Sequence, residues 1–179
     1  MVLGKGLTLV LLREQLRLST VPSFILIDLD EWRVSETSTL DWICNTFTDT
    51  ALAIRSSAGN EDGMSASGAG MFHSELNIPS SNRTSISDAI NSVIESYGKS
   101  TESLFGATVI IQEMVSDVSV SGVVLTQHMS TSAPYYVVNY DDISKDTSSV
   151  TSGKTSDSNR TLFIHRNHLE QLRSERFMQ

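Results

Sequence analysis

The sequence predicts a mixed α+β fold. Segments with strand patterns and segments with helical patterns occur together, but they lack the regular strand–helix–strand alternation of a parallel α/β sheet. Short apolar runs rich in β-branched residues are typical of strands, whereas apolar residues spaced three and four apart indicate helices that pack on a core. A chain of 179 residues forms one compact domain by default and can bury most of its apolar surface.

The first part of the chain predicts one strand between helical segments. Residues 7–18 set leucines and a valine among charged residues, which indicates a helix. Residues 21–27 form an apolar strand with Pro22 near its start, where a missing N–H costs least. A short helix over residues 28–33 and an amphipathic segment over residues 41–47 are expected next.

A second strand over residues 50–54 is expected to end at Arg55, because bulk and β-branching stop there. Residues 59–70 consist mainly of glycine, alanine and serine, which predicts a loop that brings its backbone close to phosphates and becomes ordered with nucleotide. A flexible linker is the rival interpretation. Because alternation resumes over residues 72–78, we expect the loop to lie within one domain.

The second half predicts one core helix and several strands. Residues 85–97 place apolar side chains at helical spacing and are followed by Gly98. Residues 141–160 are polar and predict a long exposed loop or an extended hairpin, and residues 167–173 look helical. The expected strands cover residues 108–111, 121–125, 135–140 and 162–164.

Composition excludes several classes of function. The net charge of −8 argues against nucleic acid or an anionic membrane as a partner. Cys44 is the single cysteine, so neither a disulfide framework nor a thiolate metal site is expected. No apolar run reaches the roughly 20 residues that span a bilayer, and no signal peptide is evident, so a cytoplasmic location is expected.

Two cationic residues have sequence surroundings that suit an anion. Lys5 lies between Gly4 and Gly6 just before the first predicted helix, where backbone donors and a point charge converge. Arg55 is followed by two serines, and its planar fork of donors suits phosphate oxygens. The alternatives are a solvated terminal lysine and a surface arginine at a strand end followed by a polar turn.

Three blocks of sequence, in order and spread over about 125 residues, carry a specific resemblance. They are Gly4-Lys5-Gly6 with Val21-Pro22-Ser23-Phe24-Ile25, RSSAGNEDGMSASGAGMFHSELNI over residues 55–78, and Val109-Ile110-Ile111-Gln112-Glu113-Met114-Val115 with Ser121-Gly122-Val123-Val124-Leu125-Thr126. Together they resemble the phosphoenolpyruvate synthase and pyruvate phosphate dikinase family, in its N-terminal ATP-binding domain.

The resemblance implies an ATP-grasp-like fold of two lobes with antiparallel sheets, incomplete at its C-terminus. Residues 1–106 would then form the N-terminal lobe with the phosphate-binding residues, and residues 107–166 the lobe with the adenine hinge. Residues 167–179 would begin a following helix. The absence of a Walker phosphate-binding sequence agrees with phosphates held by strand-borne side chains and a mobile loop.

The resemblance also implies a set of site residues. Lys5 and Arg55 would meet the nucleotide phosphates and act in catalysis. The hydroxyls of Ser56 and Ser74 would contribute to nucleotide binding. The hinge would hold adenine through backbone groups near Gln112 and Met114, with Glu113 serving the purine or ribose or remaining a solvated charge.

The chain also departs from the family pattern. Gly68 and Met71 replace a phenylalanine and a glutamine of the family, and Ser74 replaces a threonine while keeping the hydroxyl. The metal-binding acids of the family are expected outside this chain, so Mg²⁺ would be held elsewhere and no metal site is assigned here. The histidines do not match the family's phosphate-accepting segment and are expected to be solvated or packed.

The expected function is the ATP-binding part of a phosphotransferase of this family, with ATP and Mg²⁺ as cofactors. Its partner would be a phosphohistidine domain on the same or a longer polypeptide, and the isolated chain is expected to be inactive. Two alternatives stay open. One is a regulatory or degenerate module that binds nucleotide without turnover, and the other is an ATP-grasp carboxylate ligase.

Overall fold

The structure, a computed structural model, describes residues 4–57, 73–97, 106–144, 150 and 158–168. The described helices are α1 (Lys5–Gln15), α2 (Leu29–Thr46) and α3 (Arg83–Tyr97), with a short 3₁₀ helix at Arg166–His168. The described strands are β1 (Phe24–Asp28), β2 (Ala51–Ser57), β3 (Ser74–Pro79), β4 (Thr108–Glu113), β5 (Ser121–Leu125), β6 (Tyr135–Asp141) and β7 (Asn159–His165). These strands form two antiparallel sheets, which confirms the α+β fold and agrees with an ATP-grasp-like fragment.

The chain divides into two compact units, Met1–Met114 and Val115–Gln179. The first unit extends past the expected lobe boundary at residue 106, because β4 pairs with both β1 and β2 and therefore belongs to their sheet. Within the described residues, no helix is both long and apolar enough to cross a membrane.

The first unit is built on a four-stranded sheet with the order β1-β4-β2-β3. One face of this sheet carries the apolar side chains of alternate strand residues, such as Ile27, Ile54 and Ile111, and α2 and α3 cover it. The apolar residues of α3 recur at helical spacing, and Ile86, Ile90 and Val93 are fully buried. Sequence alternation therefore selects which face of the sheet becomes the core.

One helix, α2, covers both the short helix predicted over residues 28–33 and most of the amphipathic segment predicted over residues 41–47. Asp28 caps it by accepting hydrogen bonds from the N–H groups of Asp30 at 2.8 Å and Glu31 at 3.4 Å. Ser35 departs from helical geometry, with φ −133° and ψ 34°, so the helix is kinked in its polar middle. Trp32 before the kink and Ile43 after it are both buried, and this shared core contact keeps the two halves in one element.

The second unit contains a three-stranded sheet with the order β5-β6-β7. Asp141, at the end of β6, is fully buried. Its carboxylate accepts hydrogen bonds from the hydroxyls of Ser144 at 2.5 Å and Ser158 at 2.7 Å, and from the N–H groups of Ser144 at 2.9 Å and Ile143 at 2.8 Å. These hydrogen bonds, above all those from Ser144, hold the pKa of Asp141 well below its ordinary value. The polar segment predicted after residue 140 thus begins at a buried, satisfied carboxylate.

Candidate functional site

Strand β2 does not end at Arg55. It continues to Ser57, so the prediction that Arg55 marks the carboxyl edge of the strand is wrong. Ser56 and Ser57 remain in the sheet because they pair with Val109 and Thr108 of β4. Small hydroxyl side chains fit this end of the sheet, where both serines are buried.

The side chain of Arg55 lies on the face of the sheet that faces away from the core. Successive strand residues point to opposite faces, and Leu52 and Ile54 belong to the core cluster, so Arg55 and Ser57 share the other face. Arg55 is exposed, and its guanidinium forms no ion pair with any carboxylate among the described residues. An exposed arginine in mid-strand is available to bind an anion.

Ser74 lies beside Arg55. The two residues are direct partners in the antiparallel pairing of β2 with β3, so their side chains share one face. Ser74 is exposed, like Arg55. Two of the residues that the resemblance assigns to nucleotide binding are therefore adjacent.

The first turn of α1 is bound to the same face. Lys5 is the first residue of α1, so the helix begins two residues earlier than predicted and Lys5 belongs to it. The N–H of Gly6 donates a hydrogen bond of 2.8 Å to the hydroxyl of Ser57. Because Ser57 lies two residues beyond Arg55 on the same face, this bond brings the helix turn that carries Lys5 to the strand that carries Arg55.

Glycine at position 6 leaves room for this contact. A Cβ atom there would lie 2.8 Å from Cδ2 of Leu26 and 3.1 Å from the hydroxyl oxygen of Ser57. Both distances are shorter than ordinary van der Waals contact. The sequence Gly4-Lys5-Gly6 therefore serves close helix–sheet packing, in addition to any role of the lysine.

Gln112 lies on the Arg55 face as well. It pairs with Phe24 of β1 and Ala53 of β2, whose side chains occupy that face. Its side chain is only 9% exposed, and no described residue hydrogen-bonds its amide. A buried amide without a partner costs free energy, so Gln112 marks a position where a polar ligand group is favourable.

The predicted hinge is the end of a central strand. The N–H of Glu113 donates to the carbonyl of Ser23, and the N–H of Met114 donates to the carbonyl of Ala51, both at 2.9 Å. The sulfur of Met114 accepts the N–H of Asn77 at 3.1 Å. These N–H groups are thus committed to the sheet, and a nucleotide contact at this point has to use other groups.

Ser56 is turned away from the other candidates. It has the same strand parity as Leu52 and Ile54, and it is 3% exposed on the core side of the sheet. Ser57, and not Ser56, has its side chain on the same face as Arg55. Alternate residues of a strand share one face, so the spacing of two between Arg55 and Ser57 is the sequence signal that identifies Ser57.

Tyr97 was not singled out from the sequence. Its hydroxyl accepts the N–H of Ser57 and donates to the carbonyl of Thr108, both at 2.6 Å. The sequence places Tyr97 on the apolar stripe of α3, and that pattern gives no indication of a polar contact at the far end of its ring.

His73, His128 and His165 have local partners. His73 contacts the carboxylate of Glu75 at 2.6 Å, and His128 contacts the hydroxyl of Thr131 at 3.0 Å. His165 packs edge-on against Tyr135. Among the described residues, no three histidine, cysteine or acidic side chains come together to hold a metal ion. The predicted phosphate loop at 59–70 lies outside the described residues.

The sequence was compared with models of protein families and with curated proteins. The model of one family, the pyruvate phosphate dikinase AMP/ATP-binding domain, matches residues 36–141. The matched part includes Arg55, Ser74 and Gln112, and Lys5 precedes it. No curated protein matches the chain. The family match spans more than half of the chain and agrees with the residue blocks and the fold described above. This chain belongs to the pyruvate phosphate dikinase AMP/ATP-binding domain family.

Proposed function

We propose that the chain binds ATP on the face of the four-stranded sheet that carries Arg55, with the triphosphate between Arg55 and the first turn of α1. One observation carries the proposal. The helix turn with Lys5 is hydrogen-bonded, through Gly6, to Ser57 on the strand and face of the exposed Arg55. Family membership supplies the ligand class, because the family is named for AMP and ATP binding.

The chemistry of these groups suits phosphates. The guanidinium of Arg55 offers two parallel donors to phosphate oxygens, and Lys5 offers a compact point charge. The N-terminus of an eleven-residue helix adds a partial positive charge and backbone N–H donors near Lys5. Ser74, opposite Arg55, contributes a hydroxyl donor.

The nucleoside end of ATP is assigned to the end of β4. The buried amide of Gln112 offers one acceptor and two donors on the same face as Arg55. Glu113 and Met114 remain in the proposed set through groups other than their N–H, which the sheet uses. Ser56 is removed from the set, because it is buried on the core side.

The reaction we propose follows the family resemblance. The chain is the ATP-binding part of a phosphotransferase that phosphorylates a histidine on a separate swivelling domain, and it has no turnover by itself. Arg55 and Lys5 orient the phosphates and offset the charge that develops during phosphoryl transfer. The described residues do not bring an acidic cluster together for Mg²⁺, so no step through the metal is assigned to them.

Titration with ATP by NMR or calorimetry tests the proposal. Arg55→Ala is expected to weaken ATP binding about ten- to thirtyfold, which corresponds to about 1.4–2 kcal/mol for a solvent-accessible charged contact. The melting temperature should change little, because Arg55 is exposed and contributes little to the core. Arg33→Ala is the matched control, since Arg33 is an exposed arginine of α2 paired with Asp30.

Equal ATP affinity in the Arg55→Ala and Arg33→Ala variants would contradict the phosphate assignment. Loss of the fold in Arg55→Ala would favour a structural role for the arginine. ATP binding without transfer to any histidine domain supplied in trans favours the nucleotide-binding module without turnover. Transfer to a carboxylate substrate favours the ligase.

A further inference from the structure

The start of α1 lacks a cap of its own. Gly4, the residue before the helix, has no side chain to accept a hydrogen bond from the first turn. The N–H of Gly6, the second helical residue, is one of the groups that a capping serine or aspartate normally satisfies. Ser57 of β2 supplies this acceptor from 51 residues along the chain. Helix α1 is thus capped by a side chain of the sheet.

The capping serine is itself fixed by Tyr97. The N–H of Ser57 donates to the hydroxyl of Tyr97, which donates in turn to the carbonyl of Thr108. Ser57 and Thr108 are partners in the pairing of β2 with β4, so the tyrosine hydroxyl bridges the two strands at their end. Tyr97 is 1% exposed, and its ring is packed in the core, which leaves its hydroxyl little freedom.

This chain of hydrogen bonds lies between the two proposed phosphate ligands. Lys5 is the neighbour of Gly6, and Arg55 is two residues from Ser57 on the same face. An ordinary buried hydrogen bond adds stability wherever it occurs. This hydrogen bond joins the helix turn that carries Lys5 to the strand that carries Arg55, so it also fixes the position of one residue relative to the other. Preorganisation of this kind favours binding and catalysis.

We propose that Ser57 and Tyr97 are positioning residues, which anchor the first turn of α1 on β2 and thereby hold Lys5 in register with Arg55. The part of this proposal that concerns Lys5 rests on the proposed function. The anchoring of α1 by Ser57 does not, because it is a property of the chain without nucleotide.

The first experiment measures amide hydrogen exchange in the 179-residue chain without ligand. In Ser57→Ala, we expect the Gly6 amide to lose its protection by at least tenfold, because the second N–H of a helix has no partner inside the helix. Tyr97→Phe keeps the ring and removes the bridge, and it should reduce the same protection less strongly. Ser80→Ala is the matched control, since Ser80 is a buried serine that accepts the N–H of Thr50 near the other end of β2. Gly6 protection that does not change in Ser57→Ala overturns the anchor.

The second experiment compares titration with ATP and with adenosine. Positioning of Lys5 affects the phosphates, so Ser57→Ala should weaken ATP binding about tenfold and leave adenosine binding unchanged. Ser80→Ala should leave both affinities unchanged. A purely structural role predicts that Ser57→Ala and Ser80→Ala lower the melting temperature alike, with the same ATP affinity as the unmodified chain. That result overturns the positioning of Lys5.

The two experiments separate this inference from the proposed function. If the unmodified chain binds no ATP, the proposed function fails, and with it the role assigned to Lys5. The exchange experiment still decides whether Ser57 anchors α1. If ATP binds and depends on Arg55 but not on Ser57, the proposed function stands and the positioning role fails.

Discussion

At the scale of single residues, Asp141 combines full burial with a charged, hydrogen-bonded carboxylate at the end of β6. Because hydrogen bonds from Ser144 and its neighbours lower the pKa in the folded state, the folded state binds fewer protons than the unfolded chain near pH 3 to 4. The contribution of ionised Asp141 to the stability of the folded state is complete above the unfolded pKa of about 4. It is lost as the pH falls through the lower pKa of the folded state.

We therefore expect Asp141→Asn to lower the melting temperature at pH 7, because the amide cannot accept hydrogen bonds at both terminal positions. The difference from the unmodified chain should shrink as the pH falls below about 4. Thermal unfolding between pH 2.5 and 7 measures it. Asp142→Asn is the control, since Asp142 forms a partly exposed ion pair with Arg160, and such pairs contribute less than about 1 kcal/mol. A difference that is independent of pH would contradict the assignment.

Lys5 and Arg55 give a second prediction at this scale. If both contact the same triphosphate, their contributions to ATP affinity are coupled. The binding free energy lost in the double variant Lys5→Ala/Arg55→Ala should be smaller than the sum of the losses in the two single variants, by about 0.5–1 kcal/mol. ATP titration of the double-mutant cycle measures this coupling. Strict additivity would mean that the two cations act at separate places.

At the scale of elements, α3 supplies much of the core of the first unit. Ile90 is fully buried against α2 and the sheet, whereas Glu95 on the same helix is exposed. Ile90→Ala should lower the free energy of unfolding by about 2–5 kcal/mol, from lost burial and the cavity left behind. Glu95→Ala should change it by no more than about 0.5 kcal/mol. Urea unfolding of both variants measures the contrast, and similar values for the two would contradict the core assignment.

Some helices and strands could be predicted from the sequence, and others could not. Helix α3 and β5 lie close to their predicted bounds, because α3 has regular apolar spacing followed by Gly98 and β5 is a short apolar run with two valines. The end of β2 was missed because Ser56 and Ser57 have low strand propensity, and their burial comes from pairing with β4 and contact with α1. The full length of α2 was not predicted, because its two halves are held together by core contacts that the local sequence pattern does not show.

Some residues of the candidate site could likewise be predicted from sequence, and others could not. Arg55, Lys5 and Gln112 have side chains whose chemistry is visible in the sequence, and the family blocks mark them. Ser57 and Tyr97 act through contacts between residues 40 and 51 positions apart, which no local pattern encodes. Gln112 and Glu113 lie at the end of β4 and Met114 follows it, but hydrogen bonds to the carbonyls of Ser23 and Ala51 determine which of their backbone groups remain free.

At the scale of the whole molecule, the core cluster that the described residues of the first unit form extends from Ile27 to Ile111. We expect a fragment of residues 1–114 to fold and to unfold cooperatively in urea. A fragment of residues 1–106, which follows the boundary expected from sequence, lacks β4 and should not fold, because β4 lies between β1 and β2. Cooperative unfolding of the shorter fragment would contradict this division of the chain.

Charge sets the expected strength of nucleotide binding. The chain carries a net charge of −8, which opposes an anionic ligand, and the proposed phosphate-binding residues Arg55 and Ser74 are exposed to solvent. We expect the dissociation constant for ATP to be about 1 μM or weaker for this chain. Calorimetry measures it, and submicromolar binding would show that the site gains contacts beyond those assigned here.

The strand order of the first sheet has a consequence for how the chain folds during synthesis. β4 separates β1 from β2 in space but follows both in the chain, and it meets β1 across about 80 residues. A nascent chain that has emerged only as far as β3 therefore holds β1 and β2 with unpaired edges and an open core. Contacts this distant slow folding, and exposed apolar edges favour aggregation. We therefore expect the nascent chain to be most prone to aggregation in the interval before residue 113 leaves the ribosome.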